Sequence, residues 1–390
     1  VNVKSKFCPA PWYHLSTDTN GSLRPCCKFS QPQLQQKHKM PFMYEGRLDE
    51  LWNSKNFKSL RQDFIDGKQP KECEICWNEE NNNVRSYREN LIDWFKSSWE
   101  HCDFTKVEAP PPTSFDFKVT NLCNMKCRIC GPTASSLFFE EAKSYMRLTY
   151  NEAYLKDNKI TQTNNREIFL KWLPHIKRIE ITGGEPLVSP ENKEMIKLIC
   201  DQGHADHIDL QVTTNGKLFI PKFNEYLKQF ERVIISLSID DITDRFEYHR
   251  YPSNWKKVKS NIDDYIKLDK DNHNIQTYLY CTVSNYNIFY LDEYCDYFSY
   301  LPKNQYNFGL LFYNDYWCIQ NLHPYIKEII LDKLNDYEKL HPVINYLSGK
   351  GKDLTKKFLI ETSKFDRLRQ QQFSTTFPEW YDILSMHRTL

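Results

Sequence analysis

The sequence predicts an α/β protein: six βα units forming a parallel sheet, preceded by a small α+β unit and followed by a helical extension. Three observations predict it. Between Ser114 and Tyr316, apolar runs of strand length (115–120, 177–182, 207–213, 232–239, 275–283 and 306–313) alternate with helical stretches, the pattern of βα units. Upstream, Ala109-Pro110-Pro111-Pro112-Thr113 reads as a stiff linker. Downstream, from Pro324, apolar residues such as Ile329, Ile330 and Leu334 recur at helical spacing. The expected divisions are 1–108, 113–322 and 323–390.

Composition narrows the function classes. The chain has 390 residues and a formal charge of +1, from 52 basic and 51 acidic side chains, so it carries no electrostatic footprint for nucleic acid or an anionic membrane. No apolar run reaches the length of a membrane span, and Val1 to Lys6 has no signal-peptide hydrophobic region. The 13 cysteines are an odd number and several stand in C-x2-C-like clusters, which points to a reducing, cytoplasmic compartment and metal ligation rather than disulfides.

In the first part, Tyr13 to Thr17 reads as a strand. Asp18-Thr19-Asn20-Gly21 is a hairpin turn, and a return strand ends in Arg24-Pro25-Cys26-Cys27. The hairpin brings Cys8 toward Cys26 or Cys27. Gln31 to Lys39 is a polar loop, and helices are expected over Leu48 to Ile65 and Val84 to Trp99. Cys73-x2-Cys76 then completes four thiolate positions, Cys8, Cys26 (or Cys27), Cys73 and Cys76, able to close around one metal centre. Thiolate spacing alone suits an iron–sulfur cluster or a structural zinc.

The second part opens with Phe115 to Val119 running into Cys123-Asn124-Met125-Lys126-Cys127-Arg128-Ile129-Cys130. Three thiolates at C-x3-C-x2-C spacing can hold one face of a [4Fe-4S] cube and leave the fourth iron open to bind a small molecule. Other motifs fall at later strand ends, where the chemistry of βα barrels lies. Thr182-Gly183-Gly184-Glu185-Pro186 offers backbone that a ligand can approach without a Cβ in the way. Thr214-Asn215-Gly216 ends the third strand. In the fourth, period two puts Ser236, Ser238 and Asp240 on one face, a set that can bind a ribose diol. Arg250 follows, with Arg245 a near competitor, and an Arg fork suits a carboxylate. Val283 and Asn285 close the fifth strand, and alternation puts Asp116, Lys118 and Gln211 inward.

Together these motifs resemble those of the radical S-adenosylmethionine (SAM) enzymes, over about 200 residues. The resemblance implies a partial (β/α)6 TIM-like barrel in which Cys123, Cys127 and Cys130 ligate a [4Fe-4S] cluster whose open iron chelates SAM. It implies that Gly183, Gly184 and Glu185 hold the SAM amine, with Thr214 and Asn215 bordering it. Ser236, Ser238 and Asp240 would take the ribose, Arg250 the carboxylate, and Val283 the adenine. The amino-terminal pattern resembles the twitch module, a shortened SPASM domain, which implies an auxiliary [4Fe-4S] cluster on Cys8, Cys26, Cys73 and Cys76; relatives carry that module after the barrel, whereas here it comes first. The implied activity is reductive cleavage of SAM to a 5′-deoxyadenosyl radical, fed by an external donor such as flavodoxin or ferredoxin. The expected substrate is a peptide or protein side chain; the alternatives are oxidation of a small aminosugar or nucleotide-like molecule, or a non-enzymatic electron-transfer protein.

Overall fold

The computed structural model describes residues 6–30, 40–81, 85–94, 96–141, 163–312 and 314–386. The expected loop over 31–39 lies outside these residues. Among the described residues, eight strands form one sheet: β1 (His14–Thr17), β2 (Leu23–Arg24), β3 (Ser114–Phe117), β4 (Arg178–Ile181), β5 (Asp209–Thr214), β6 (Arg232–Ser238), β7 (Ile275–Val283) and β8 (Tyr306–Leu310). The order is β2-β1-β3-β4-β5-β6-β7-β8. All six strands expected from alternation are present as β3 to β8, and each pairs in parallel with the next. The sheet does not close, because β2 and β8 are its two edges, so the architecture is a partial barrel.

Alternation decides what each face of the sheet meets. Along β6, Val233, Ile235 and Leu237 are buried, while Ile234, Ser236 and Ser238 are half-buried. Along β7 the Thr277 hydroxyl donates to the Tyr265 carbonyl at 3.1 Å, so the face shared by Ile275, Thr277, Leu279, Cys281 and Val283 looks onto helix Trp255–Asp271. The opposite face is the concave, polar one. On it Asp116 accepts from Ser16 at 2.8 Å and from Thr182 at 3.0 Å, Lys118 stands 3.6 Å away, and Arg178 donates to Gln211 at 2.7 Å and Glu180 at 3.0 Å. Asp116, Lys118 and Gln211 thus do face inward, but Asp116 and Gln211 are bonded to neighbouring strands.

The hairpin forms as expected, with Gly21 at φ 79° in its turn. The linear sequence does not indicate where it docks. β1 pairs in parallel with β3, in register His14↔Ser114 and Ser16↔Asp116, so the amino-terminal part extends the barrel sheet. The proline linker is likewise tied down: Trp52 donates to the Pro110 carbonyl at 2.7 Å and Thr113 N–H to the Tyr13 carbonyl at 3.0 Å. The helix expected over Leu48 to Ile65 is two helices, Leu48–Trp52 and Lys55–Ile65. Asn53 leaves the helical path because its side chain binds Ala109 N–H, the Ala109 carbonyl and Arg61. The helix expected to Trp99 begins at Tyr87 and is described as Tyr87–Trp94 and Lys96–Trp99. The carboxyl-terminal extension is helical as expected, with segments Pro324–Leu334, His341–Ser348, Thr355–Arg369, Phe373–Thr376 and Pro378–Met386. No helix of the described residues is long and apolar enough to cross a membrane.

The strand junction predicts a pH effect. His14 is fully buried, with Nδ1 2.8 Å from the Ser114 hydroxyl, and burial pulls its pKa down to about 3. The unfolded chain has a His pKa of about 6.5, so between there and about 3 the unfolded state holds the extra proton. Stability is full above that window and falls as the pH drops through it, by at most about 1.4 kcal/mol per pH unit. A His14→Gln variant is expected to flatten the melting temperature against pH below 6.5, measured by circular dichroism.

Candidate functional site

The cysteine loop leaves β3 and is held by backbone contacts on several sides. Lys126 N–H donates to the Tyr251 carbonyl at 2.6 Å and Arg128 N–H to the His249 carbonyl at 2.8 Å. Ser135 donates to the Met125 carbonyl at 2.5 Å, Asn215 to the Asn124 side-chain oxygen at 2.8 Å, and Lys217 to the Asn124 carbonyl at 3.1 Å. Within it each of the three thiols feels at least one of the others. A hydrogen bond from Cys130 is the largest influence on Cys127 and lowers its pKa, with Arg250 acting the same way, while Cys130 is pushed up. Burial first, and then Cys127, push Cys123 up to about 11.

Arg250 is the arginine that reaches this loop. Its Nη1 lies 3.8 Å from the Cys127 sulfur and its Nη2 2.8 Å from Asp240. Its Nε is buried and, among the described residues, has no hydrogen-bond acceptor. Arg245 is spent elsewhere, on Asp241 at 3.0 Å and Glu293 at 2.8 Å.

The geometry gives several of these residues partners within the chain. Asp240 does not continue the inward row of Ser236 and Ser238. β6 ends at Ser238, and the fully buried Asp240 carboxylate accepts from Thr282 N–H at 2.9 Å and pairs with Arg250. Glu185 is also fully buried. Its oxygens accept from Thr214 at 2.6 Å, Asn215 N–H at 2.8 Å and Leu187 N–H at 3.1 Å, which ties the ends of β4 and β5 together and aims Asn215 at the cysteine loop. Burial raises its pKa and these donors oppose the rise. Val283 sits on the helix-facing side of β7, because the alternation that turns Thr282 inward turns it outward. Asn285 is buried too, donating to the Tyr316 carbonyl at 2.9 Å.

The paired glycines serve the chain itself. A Cβ on Gly184 would fall 2.3 Å from the Leu122 carbonyl oxygen, and one on Gly183, at φ 109°, 2.8 Å from the Thr120 oxygen. Gly184 N–H donates to the Thr120 carbonyl at 2.9 Å. The side on which each Cβ would lie is taken by the backbone that leads into Cys123. Gly184→Ala must push that backbone away, and the expected loss is about 1–3 kcal/mol in chemical denaturation with reduced iron uptake.

A second thiol set lies in the amino-terminal part. Cys8, Cys26, Cys73 and Cys76 line one small cavity together with Lys28, Trp77, Tyr87 and Arg88. Burial, and after it mainly the neighbouring thiols, push Cys26 and Cys73 well up; burial pushes Cys8 up to about 12. Cys27, the alternative to Cys26, is absent from this lining and feels Asp116 and Lys118 instead. Among the described residues, no group of three or more His, Cys, Asp or Glu side chains is arranged to hold a single metal ion. An all-sulfur donor set spread around a cavity fits an iron–sulfur cluster. In the cysteine loop, three thiols beside an arginine with an unpaired buried Nε fit a cluster carrying an anionic ligand.

Family models agree with this geometry. Residues 117–298 match the Radical SAM superfamily, and residues 8–77 match the SPASM family, an iron–sulfur cluster-binding domain. The chain carries a radical SAM domain. The SPASM domain precedes it, and [4Fe-4S] clusters and SAM are the groups these two domains bind. Curated proteins similar to the chain include the radical SAM cyclopropyl synthase TigE of Paramaledivibacter caminithermalis, 27% identical over 207 residues covering 50% of this chain and 38% of that protein. Another is a GTP 3′,8-cyclase of Alkaliphilus oremlandii, 30% identical over 152 residues covering 38% of this chain and 42% of the relative. The chain thus spans about two fifths of the length of these relatives. Among solved structures, Streptococcus suis SuiB bound to SAM aligns with 85% of this chain and 67% of its own, at 14% identity and a TM-score of 0.37.

The radical SAM domain contains contacts that motif reading missed. Arg128, between two of the cysteines, is fully buried against Asp366 of the carboxyl-terminal extension. Asn124 and Lys217 are further ties. The signal available in the sequence was a charged residue inside a cysteine loop.

Proposed function

We propose that the protein is a radical SAM enzyme that modifies a side chain of a peptide or protein. The observation that carries the enzymatic reading is the contact of Cys127, in the loop of three cysteines, with Arg250, whose Nε is buried without an acceptor among the described residues. The trio would hold one [4Fe-4S] cluster, and Cys8, Cys26, Cys73 and Cys76 a second. When bound, the first cluster supplies the electron that splits SAM into methionine and a 5′-deoxyadenosyl radical able to take hydrogen from an unactivated carbon.

The chain's own residues would position and enclose the reactants. Arg250, held by Asp240 through Nη2, would present its unpaired Nε–H to the SAM carboxylate. Ser236 and Ser238 would meet the ribose from the concave face. Glu185 and Asn215 would keep the loop against the strand ends. In this reading residues 1–108 are the auxiliary domain, 113–322 the barrel and 323–390 its cap, and a flavodoxin or ferredoxin delivers the electron.

Support for a peptide substrate comes from the open edge. Among the described residues β8 pairs only with β7, and it borders a cavity of about 730 Å³ lined by Lys28, Glu79 and Tyr87 of the amino-terminal part, by Tyr280, Phe308 and Phe312, and by Val343 of the carboxyl-terminal extension. A free strand edge takes up extended chain through main-chain hydrogen bonds, and aromatic walls hold side chains. Lys28 and Tyr87 also line the four-thiol cavity, so a chain bound there would lie beside the auxiliary centre. A second reading, a nucleotide substrate, is favoured by the GTP 3′,8-cyclase relatives.

Anaerobic incubation with SAM and dithionite is expected to yield 5′-deoxyadenosine; a reconstituted protein that yields none is not this enzyme. A deuterated tryptic peptide pool that passes deuterium into 5′-deoxyadenosine supports the peptide reading. Transfer from deuterated GTP instead selects the second.

A further inference from the structure

Arg128 stands between Cys127 and Ile129, and its side chain is fully buried. A guanidinium taken out of water needs partners for its charge and its donors. Here the charged and hydrogen-bonding partners come from the far end of the chain. Nη2 reaches Asp366 at 2.7 Å and Gln371 at 2.8 Å, and Nη1 the Thr362 carbonyl at 3.4 Å. The plane lies over the Tyr248 ring, 3.8 Å from its centroid. Asp366 is itself fixed, because Tyr248 donates to one oxygen at 2.6 Å and Phe373 N–H to the other at 2.8 Å. A second tie runs alongside: Arg369 donates to Glu141 at 2.9 and 3.2 Å, and Glu141 pairs with Lys126 at 2.5 Å.

These contacts add to the backbone anchor of the cysteine loop. Lys126 and Arg128 give their N–H groups to Tyr251 and His249, the segment that carries Arg250; the Arg128 side chain goes to helix Thr355–Arg369 directly, and that of Lys126 reaches it through Glu141. Cys127 lies between them and receives Arg250 at 3.8 Å. We propose that helix Thr355–Arg369 is a positioning element for the cysteine loop. Asp366, through Arg128, and Arg369, through Glu141 and Lys126, hold Cys127 in register with Arg250. The inference rests on the reading that the trio holds a cluster, and it gives the carboxyl-terminal extension a task in that site. Outer partners of metal ligands set how firmly the metal is kept, typically 10–100-fold in affinity.

The test uses the full chain, reconstituted anaerobically with iron and sulfide. The readout is the electron paramagnetic resonance signal that changes when SAM is added, followed over time in the presence of a ferrous chelator. Asp366→Asn keeps the shape and removes the charge. It is expected to lose the SAM-responsive signal about tenfold faster than the parent protein. Asp366→Glu is expected to restore the parent rate to within threefold. Trp380→Phe loses a buried hydrogen bond to the Asn285 carbonyl in the same helical layer without touching Arg128, and serves as the control for general loosening. It is expected to keep the parent rate. A rate for Asp366→Asn within threefold of the parent overturns the proposal, as does equally fast loss from Trp380→Phe at a matched melting temperature. If the parent protein never shows a SAM-responsive signal, the enzymatic reading itself fails, which is distinct from a parent that shows it and an Asp366→Asn variant that keeps it.

Discussion

Replacing Cys123, Cys127 and Cys130 together with alanine is expected to bring 5′-deoxyadenosine formation below detection while iron stays bound at the amino-terminal thiols. The two thiol sets lie in separate parts of the chain and share no ligand in this reading, so loss of one leaves the other's donors intact. The loop itself should survive, because it is held by backbone and side-chain bonds at Asn124, Met125, Lys126 and Arg128. Iron and sulfide analysis of the anaerobically purified variant should therefore give roughly half the parent content, with a cluster spectrum that no longer responds to SAM. A variant that still forms 5′-deoxyadenosine removes the trio from the chemistry. One that loses all its iron removes the independent amino-terminal site.

Arg250→Met should be the most damaging single substitution for both stability and activity. It leaves the Asp240 carboxylate buried with Thr282 N–H and no cation, and breaking a buried pair from one side costs about 3–5 kcal/mol. It also removes the donor at Cys127 and the buried Nε. The double variant Asp240→Asn/Arg250→Met neutralises the stranded charge. It should recover much of the stability in urea denaturation and none of the SAM cleavage. If the double variant also recovers activity, Arg250 acts on the fold alone. If Arg250→Met unfolds no more readily than the parent, Asp240 is held by other groups.

The fold and both thiol sets were legible because they are written in short range. Strand alternation repeats every two residues, and Cys123 to Cys130 spans one loop, so β3 to β8 and the trio follow from local pattern. The same local logic placed Ser236 and Ser238 on the concave face and chose Arg250 over Arg245. It went astray where a residue's partner lies far along the chain. Asp240 follows the alternation of β6 on paper, yet the strand has ended and Thr282 and Arg250 take its carboxylate. Val283 was assigned to adenine by its place at a strand end, but the parity of β7 turns it to the helices. That Gly183 and Gly184 also pack closely on the backbone of Thr120 to Leu122 was likewise not visible in the motif. The sequence by itself determined the βα order, the cysteine spacing and the motifs of the two matched domains, since each is a property of neighbouring residues. Only the tertiary structure decided that Cys26 and not Cys27 joins the four-thiol cavity, that β1 extends the barrel sheet, and that Asp366 closes on Arg128 across 238 positions of chain. Those depend on which buried charge or strand edge finds a partner, and such partners are settled by packing in three dimensions.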